Sequence, residues 1–126
     1  MMTLSQKWLL ILGALMGFFS VAAGAFGAHA LKNKLSQEML AVFEVAARYQ
    51  MYHALAIWMA VWLSTINGGW EALFSGWAFF GGAFIFSGSL YLLALTGIRL
   101  FGAITPIGGV LLLAGWLFLA SAAFKS

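Results

Sequence analysis

Two histidines, His29 and His53, are the strongest chemical signals in a chain otherwise poor in reactive groups. Near them in sequence, or placed near them by helix counting, stand Tyr49, Gln50, Ser87, Ser89, Tyr91 and Thr105. Two histidines on neighbouring helices can ligate haem axially in a bundle core. A bare metal ion ordinarily wants three or four ligands. A proton relay inside a membrane uses Asp, Glu or His side chains. Aspartate and cysteine are absent, so disulfides, thiolate nucleophiles and Cys-ligated metals are excluded. Ser87-Gly88-Ser89 offers hydroxyls, but serines in a glycine-rich helix pack helices together. No nucleophile elbow, GxxxxGK loop or HExxH pair is present. The favoured reading is a closed network in which His and Gln hydrogen-bond between helices. A wet or ligand-filled pocket is the alternative. No metal and no cofactor are expected.

The elements that position these groups follow from composition. Of 126 residues, 64% are hydrophobic and only 7% charged, against about 25% charged in a soluble domain. A core of this size cannot hide so much apolar surface from water, so lipid is the solvent for most of the chain. The net charge of +3 rests on six basic and three acidic residues. That is too sparse for a nucleic-acid footprint.

Four apolar segments mark the spans, at about 8–31, 51–66, 72–96 and 101–124. A spanning helix needs about 20 mostly apolar residues. The second segment is short alone but is extended by what precedes it. The first is too long for a signal-peptide core of about 7–15 residues, despite Lys7 and Ala28-His29-Ala30, and is read as retained. Asn67-Gly68-Gly69 and Thr96-Gly97-Ile98-Arg99 predict short turns. Between Lys32 and Gln50, Ser36 is a good N-cap and Glu38 suits the first turn. A helix is predicted from Gln37 straight into the second span. Its early part is amphipathic: Gln37, Glu44 and Arg48 share one face, with Glu44 and Arg48 forming a surface ion pair. Met39, Phe43, Ala46, Gln50, His53 and Ile57 share the other. On helix one, Gly13, Gly17, Ser20, Gly24 and Gly27 form a small-residue stripe suited to close packing in lipid. Gly76, Ala83 and Ser87, and Gly108, Gly115 and Ala122, serve helices three and four in the same way. Pro106 is read as a first-turn proline of helix four.

Parity puts the first and third connections on one side of the membrane. His29, Tyr49, Gln50, His53, Tyr91 and Thr105 fall in that half, with Ser87 and Ser89 somewhat deeper. Trp8, Trp62, Trp70, Trp77 and Trp116 fall in the other half as an aromatic belt, with little polar chemistry beyond Ser and Thr. Lys32, Lys34, Arg48 and Arg99 lie on the loop-1/3 side, against Lys7 and Lys125. Positive-inside counting makes loops 1 and 3 cytoplasmic.

The blocks GAFGAHAL (24–31), YQMYHALAIW (49–58), FSGSLYLLAL (86–95) and TPIGGVLLLAGW (105–116) resemble domain-of-unknown-function family 423. That family takes in small bacterial YgdD-like and YwdK-like membrane proteins and is similar to vertebrate transmembrane protein 256. The resemblance implies a four-helix integral membrane protein and carries no catalytic assignment.

The combined expectation is an all-α, single-domain, four-helix bundle, multi-pass in the bacterial inner membrane. Its function is expected to be that of a non-enzymatic accessory or assembly component of a membrane complex. One alternative is a small carrier or ligand-binding bundle for an ion, lipid or quinone; another is a haem- or quinone-linked redox protein. The expected partners are membrane lipids and another membrane protein or a second copy, not nucleic acid.

Overall fold

A computed structural model describes residues 1–126 as four helices: α1 (Leu4–His29), α2 (Gln37–Ile66), α3 (Glu71–Thr96) and α4 (Arg99–Phe124). α1, α3 and α4 are each long and apolar enough to cross a membrane. α2 carries Glu38, Glu44 and Arg48 in its first turns and is less apolar along its length. It nevertheless runs antiparallel between α1 and α3 through the same layer.

Side-chain caps start α1 and α2, whereas α3 and α4 begin after Trp70 and Ile98 with no side-chain cap. Thr3 and Gln6 close a capping box at the start of α1, so this helix starts four residues before the predicted span. Ser36 accepts the Met39 amide and starts α2, which then runs unbroken to Ile66 as its pattern predicted. Asn67 accepts the Gly69 amide and shapes the α2–α3 turn. Gly97, at φ +73°, takes the left-handed conformation that ends α3. α4 then begins at Arg99, two residues before the predicted boundary. Pro106 consequently lies two turns inside α4 rather than in its first turn. It removes the bond to the Gly102 carbonyl, a break that membrane helices accommodate.

The bundle is serpentine rather than closed. α1 packs on α2, α2 on α3 and α3 on α4, while α1 and α4 do not pack on each other. The core is thin, built from Leu9, Met16, Ile57, Val61, Phe79, Ala83 and Leu112. Glycines set the helix spacing. A Cβ on Gly13 would lie 2.9 Å from the Trp58 ring, and one on Gly27 would lie 2.9 Å from the Phe43 ring. Gly17 faces Ala54 and Met51, and Ser20 is buried against α2. Gly24, predicted on the same stripe, has open space around it. The pairings of Gly13 with Ile57 and Gly27 with Phe43 interpolate to Ala46 and Ala47 at its level, and no atom of either comes within 4 Å of a Cβ placed there. The tightest approach is between α3 and α4, where Gly108 sits directly against the backbone at Gly82 and Phe86.

Candidate functional site

The amphipathic start of α2 behaves as its periodicity requires. Gln37, Glu44 and Arg48 are exposed, and Phe43, Ala46, His53 and Ile57 are buried. The expected Glu44–Arg48 ion pair does not form; the sole ion pair is Lys125 with Glu71, at 3.4 Å. An exposed pair gains little Coulomb energy and loses the freedom of two long side chains. Glu71 went unnoticed in the sequence because it looks like a loop charge. It is buried in the first turn of α3, where the helix N-terminus favours an anion.

The predicted polar cluster resolves into separate pairs, each tying two or three helices. Gln50 donates to the Met16 carbonyl at 2.8 Å and accepts from the Tyr91 hydroxyl at 2.7 Å, linking α1, α2 and α3. Ser20 donates to the Ala47 carbonyl at 2.6 Å, and Ser87 to the Ala46 carbonyl at 2.7 Å. Two successive carbonyls of α2 thus accept from α1 on one side and α3 on the other. Ser89 and Thr105 share a 2.6 Å hydrogen bond between α3 and α4.

His53 stands apart from these. It is 4% exposed and about 20 Å from the C-terminal end of α2 at 1.5 Å per residue. Its Nε2 accepts the indole N–H of Trp116 at 3.1 Å, and its Nδ1 lies 2.7 Å from the Tyr49 carbonyl. Accepting from Trp116 requires a bare Nε2, so the ring proton sits on Nδ1 and is donated to Tyr49. His53, Phe79 and Trp116 form an aromatic triangle with centroids 4.9–5.9 Å apart. Gly115 gives the room for it, since a Cβ there would lie 2.7 Å from the Phe79 ring.

Three expectations are corrected by this geometry. His29 is exposed at the last residue of α1 and joins no cluster. Two residues is about 200° of helix turn, so with Gly27 seated on Phe43, His29 points away. His53 meets Trp116 instead of His29, Tyr91 or Thr105, and Trp116 is therefore no simple belt residue. The loop-2 half is also not poor in polar chemistry. There Gln6 donates to Ser64, Trp77 to Ser5, and Asn67 to the Ala122 carbonyl. Nothing in the sequence signalled the His53–Trp116 pair, which depends on how α2, α3 and α4 slide against one another.

Every buried side-chain nitrogen and oxygen has a hydrogen-bond partner, and no three His or acidic side chains converge as a metal site would need. His29 and His53 do not face each other, so the pair cannot clasp a haem. Beside His53, a groove of 870 Å³ opens between α2 and α4. Tyr49, Tyr52 and Met59 form one wall, Pro106, Val110 and Leu113 the other, and Phe86 of α3 closes the floor. A smaller groove of 380 Å³ lies between α1 and α3 over Gln50 and Tyr91.

Comparison with known proteins agrees with a membrane setting. Residues 23–109 match the family described as "Protein of unknown function (DUF423)". The chain belongs to the DUF423 family. A UPF0382 membrane protein of Staphylococcus saprophyticus is 53% identical over 123 residues, covering 95% of this chain and 99% of the relative. One from Staphylococcus haemolyticus is 52% identical over 123 residues, with 95% and 98% covered. The UPF0382 membrane protein YwdK of Bacillus subtilis is 41% identical over 121 residues, again with 95% and 98% covered. No solved structure matches. This DUF423 member is a bacterial membrane protein with several spans, as the four sequence blocks implied. The family match takes in every residue of the predicted polar cluster, while Trp116 lies beyond its last residue.

Proposed function

We propose that this DUF423 protein is a non-enzymatic accessory or assembly component of a larger membrane complex. The observation that carries the reading is the use of its polar side chains. Gln50, Tyr91, His53, Trp116, Ser87, Ser89 and Thr105 direct their donors and acceptors at other helices of the same chain. Such bonds fix a bundle in lipid and leave no acid, base or nucleophile aimed at a reacting atom. The open ends of the serpentine add support. α1 is packed on one side only, and beside Gly24 its Ala25 and Ala28 are exposed. Small side chains of this kind let a further helix approach closely.

The test is purification from native membranes in a mild detergent or a lipid-bilayer disc, followed by native gel and mass spectrometry. A second protein in fixed stoichiometry is expected. Crosslinking through Gly24→Cys should reach it, and with no native cysteine there is no background. A chain that runs alone from every native preparation contradicts the proposal. The α2/α4 groove favours a second reading, a ligand-binding bundle.

A further inference from the structure

We propose that two copies of this chain pair in the bilayer through the lipid-facing stripe of α2, with Glu44 of each copy holding Arg48 of the other. The proposal goes beyond the accessory reading and stands whether or not a second protein joins the complex.

Both charges lie deeper than their place early in α2 suggests. Ser20 of α1 donates to the Ala47 carbonyl and Ser87 of α3 to the Ala46 carbonyl, so these residues are level across the bundle. Ser20 stands nine residues before His29, and Ser87 nine before Thr96, about 14 Å from those helix ends at 1.5 Å per residue. α1, α3 and α4 have 26 residues each and are about 39 Å long. Centred on a hydrocarbon layer of about 30 Å, they project about 5 Å at either face. The Arg48 backbone is therefore about 10 Å inside the hydrocarbon, and that of Glu44 about 5 Å. Both residues are exposed, and the sole ion pair of the chain involves neither. An ionised side chain at this depth is costly unless it meets a partner. Within the chain neither has one.

The stripe is self-complementary about a two-fold axis. At 100° per residue, Leu55 lies midway between Glu44 and Arg48, about 20° from each. Ala41, Met59 and Trp62 fall within about 40° of the same line, and all of these residues are exposed. α1 and α3 pack on the opposite side of α2, through Ile57, Ala60 and their neighbours. A two-fold axis along the membrane normal, facing Leu55, makes an isologous contact in which each flank of the stripe meets the other flank of its copy. Glu44 then faces the partner's Arg48, and Arg48 faces the partner's Glu44. The four-residue offset is about 6 Å along the axis. A helical side chain leans toward the N-terminus of its helix, so Arg48 leans toward the level of Glu44. The pair that gains little at a wet surface gains more where water is excluded. A second copy supplies both charges in register by symmetry, and no other helix of this chain is free to do so.

The test uses full-length chains in lipid vesicles, one population carrying a donor fluorophore and one an acceptor, with energy transfer followed as lipid is added. The wild type is expected to dimerise. Glu44→Arg makes the stripe doubly positive and Arg48→Glu makes it doubly negative, so each alone should dimerise at least about tenfold more weakly. Mixed together, the two variants should restore the dimer, because every pair across the axis is again opposite in charge. In native membranes Leu55→Cys should form a disulfide between two copies, whereas Leu117→Cys, exposed on α4, should not; the chain has no other cysteine. Circular dichroism checks that each variant folds. A monomeric wild type overturns the proposal, as do single variants that dimerise like the wild type. A mixture that restores nothing would leave Glu44 and Arg48 paired within one helix or with lipid phosphates, and also overturns it. A Leu55→Cys crosslink only to a different protein would do the same.

Discussion

Gly108→Ala is the sharpest perturbation the packing offers. The added methyl would lie 2.7 Å from the Gly82 carbonyl oxygen and 2.9 Å from Phe86 Cα, and would press on the Phe86 amide nitrogen as well. All three obstacles are backbone atoms, so no rotamer change relieves them and α3 must move away from α4. Overpacking of this kind costs about 1–3 kcal/mol, and an immovable neighbour puts the site at the upper end. Replacing glycine by alanine in a helix returns about 1 kcal/mol. The net loss is about 2 kcal/mol, a roughly 30-fold fall in the folding equilibrium. Gly109→Ala and Gly24→Ala are the controls. At Gly109 the methyl meets only the Phe86 ring at 3.8 Å, and at Gly24 it meets nothing within 4 Å. The assay is reversible unfolding in mixed micelles, followed by the fluorescence of the chain's six tryptophans. Gly108→Ala within about 0.5 kcal/mol of both controls would refute the backbone-to-backbone crossing at Gly82.

A double-mutant cycle of Gln50→Leu and Tyr91→Phe should give a coupling of about 0.6–1.7 kcal/mol, the range seen for interhelical bonds in lipid; additive effects would break the link between α2 and α3. Nitrogen-15 NMR should find the His53 proton on Nδ1, and Trp116→Phe should shift the Nε2 resonance; a proton on Nε2 in the wild type would contradict the Trp116 bond. If loops 1 and 3 are cytoplasmic, an impermeant maleimide on intact cells should label Gly68→Cys and spare Ser36→Cys; the reverse pattern inverts the topology.

Much of the architecture was legible because lipid allows few solutions. Length and apolarity gave four helices, Ser36 and the face carrying Phe43 and Ile57 gave the long α2, and Gly97 gave the turn that ends α3. The faces of individual helices were also legible, since 100° per residue needs no knowledge of neighbours. What the sequence could not give was which faces meet. Depth counted from helix ends groups His29 with His53, but depth says nothing about azimuth, and His29 points away from the bundle. The His53–Trp116 pair needs the register of α2 and α4 across α3, which is set by glycines such as Gly82, Gly108 and Gly115. Glu44 and Arg48 have ideal spacing for a pair, yet spacing alone does not overcome side-chain entropy at a surface.

The central claim is that the buried polar residues hold the helices together and enclose no ligand. An experimental structure in native-lipid discs tests it most directly. Gln50 should lie within hydrogen-bond distance of Tyr91, and His53 of Trp116, with no density between the members of either pair. A molecule wedged between them, with the pairs parted beyond about 3.5 Å, would contradict the account.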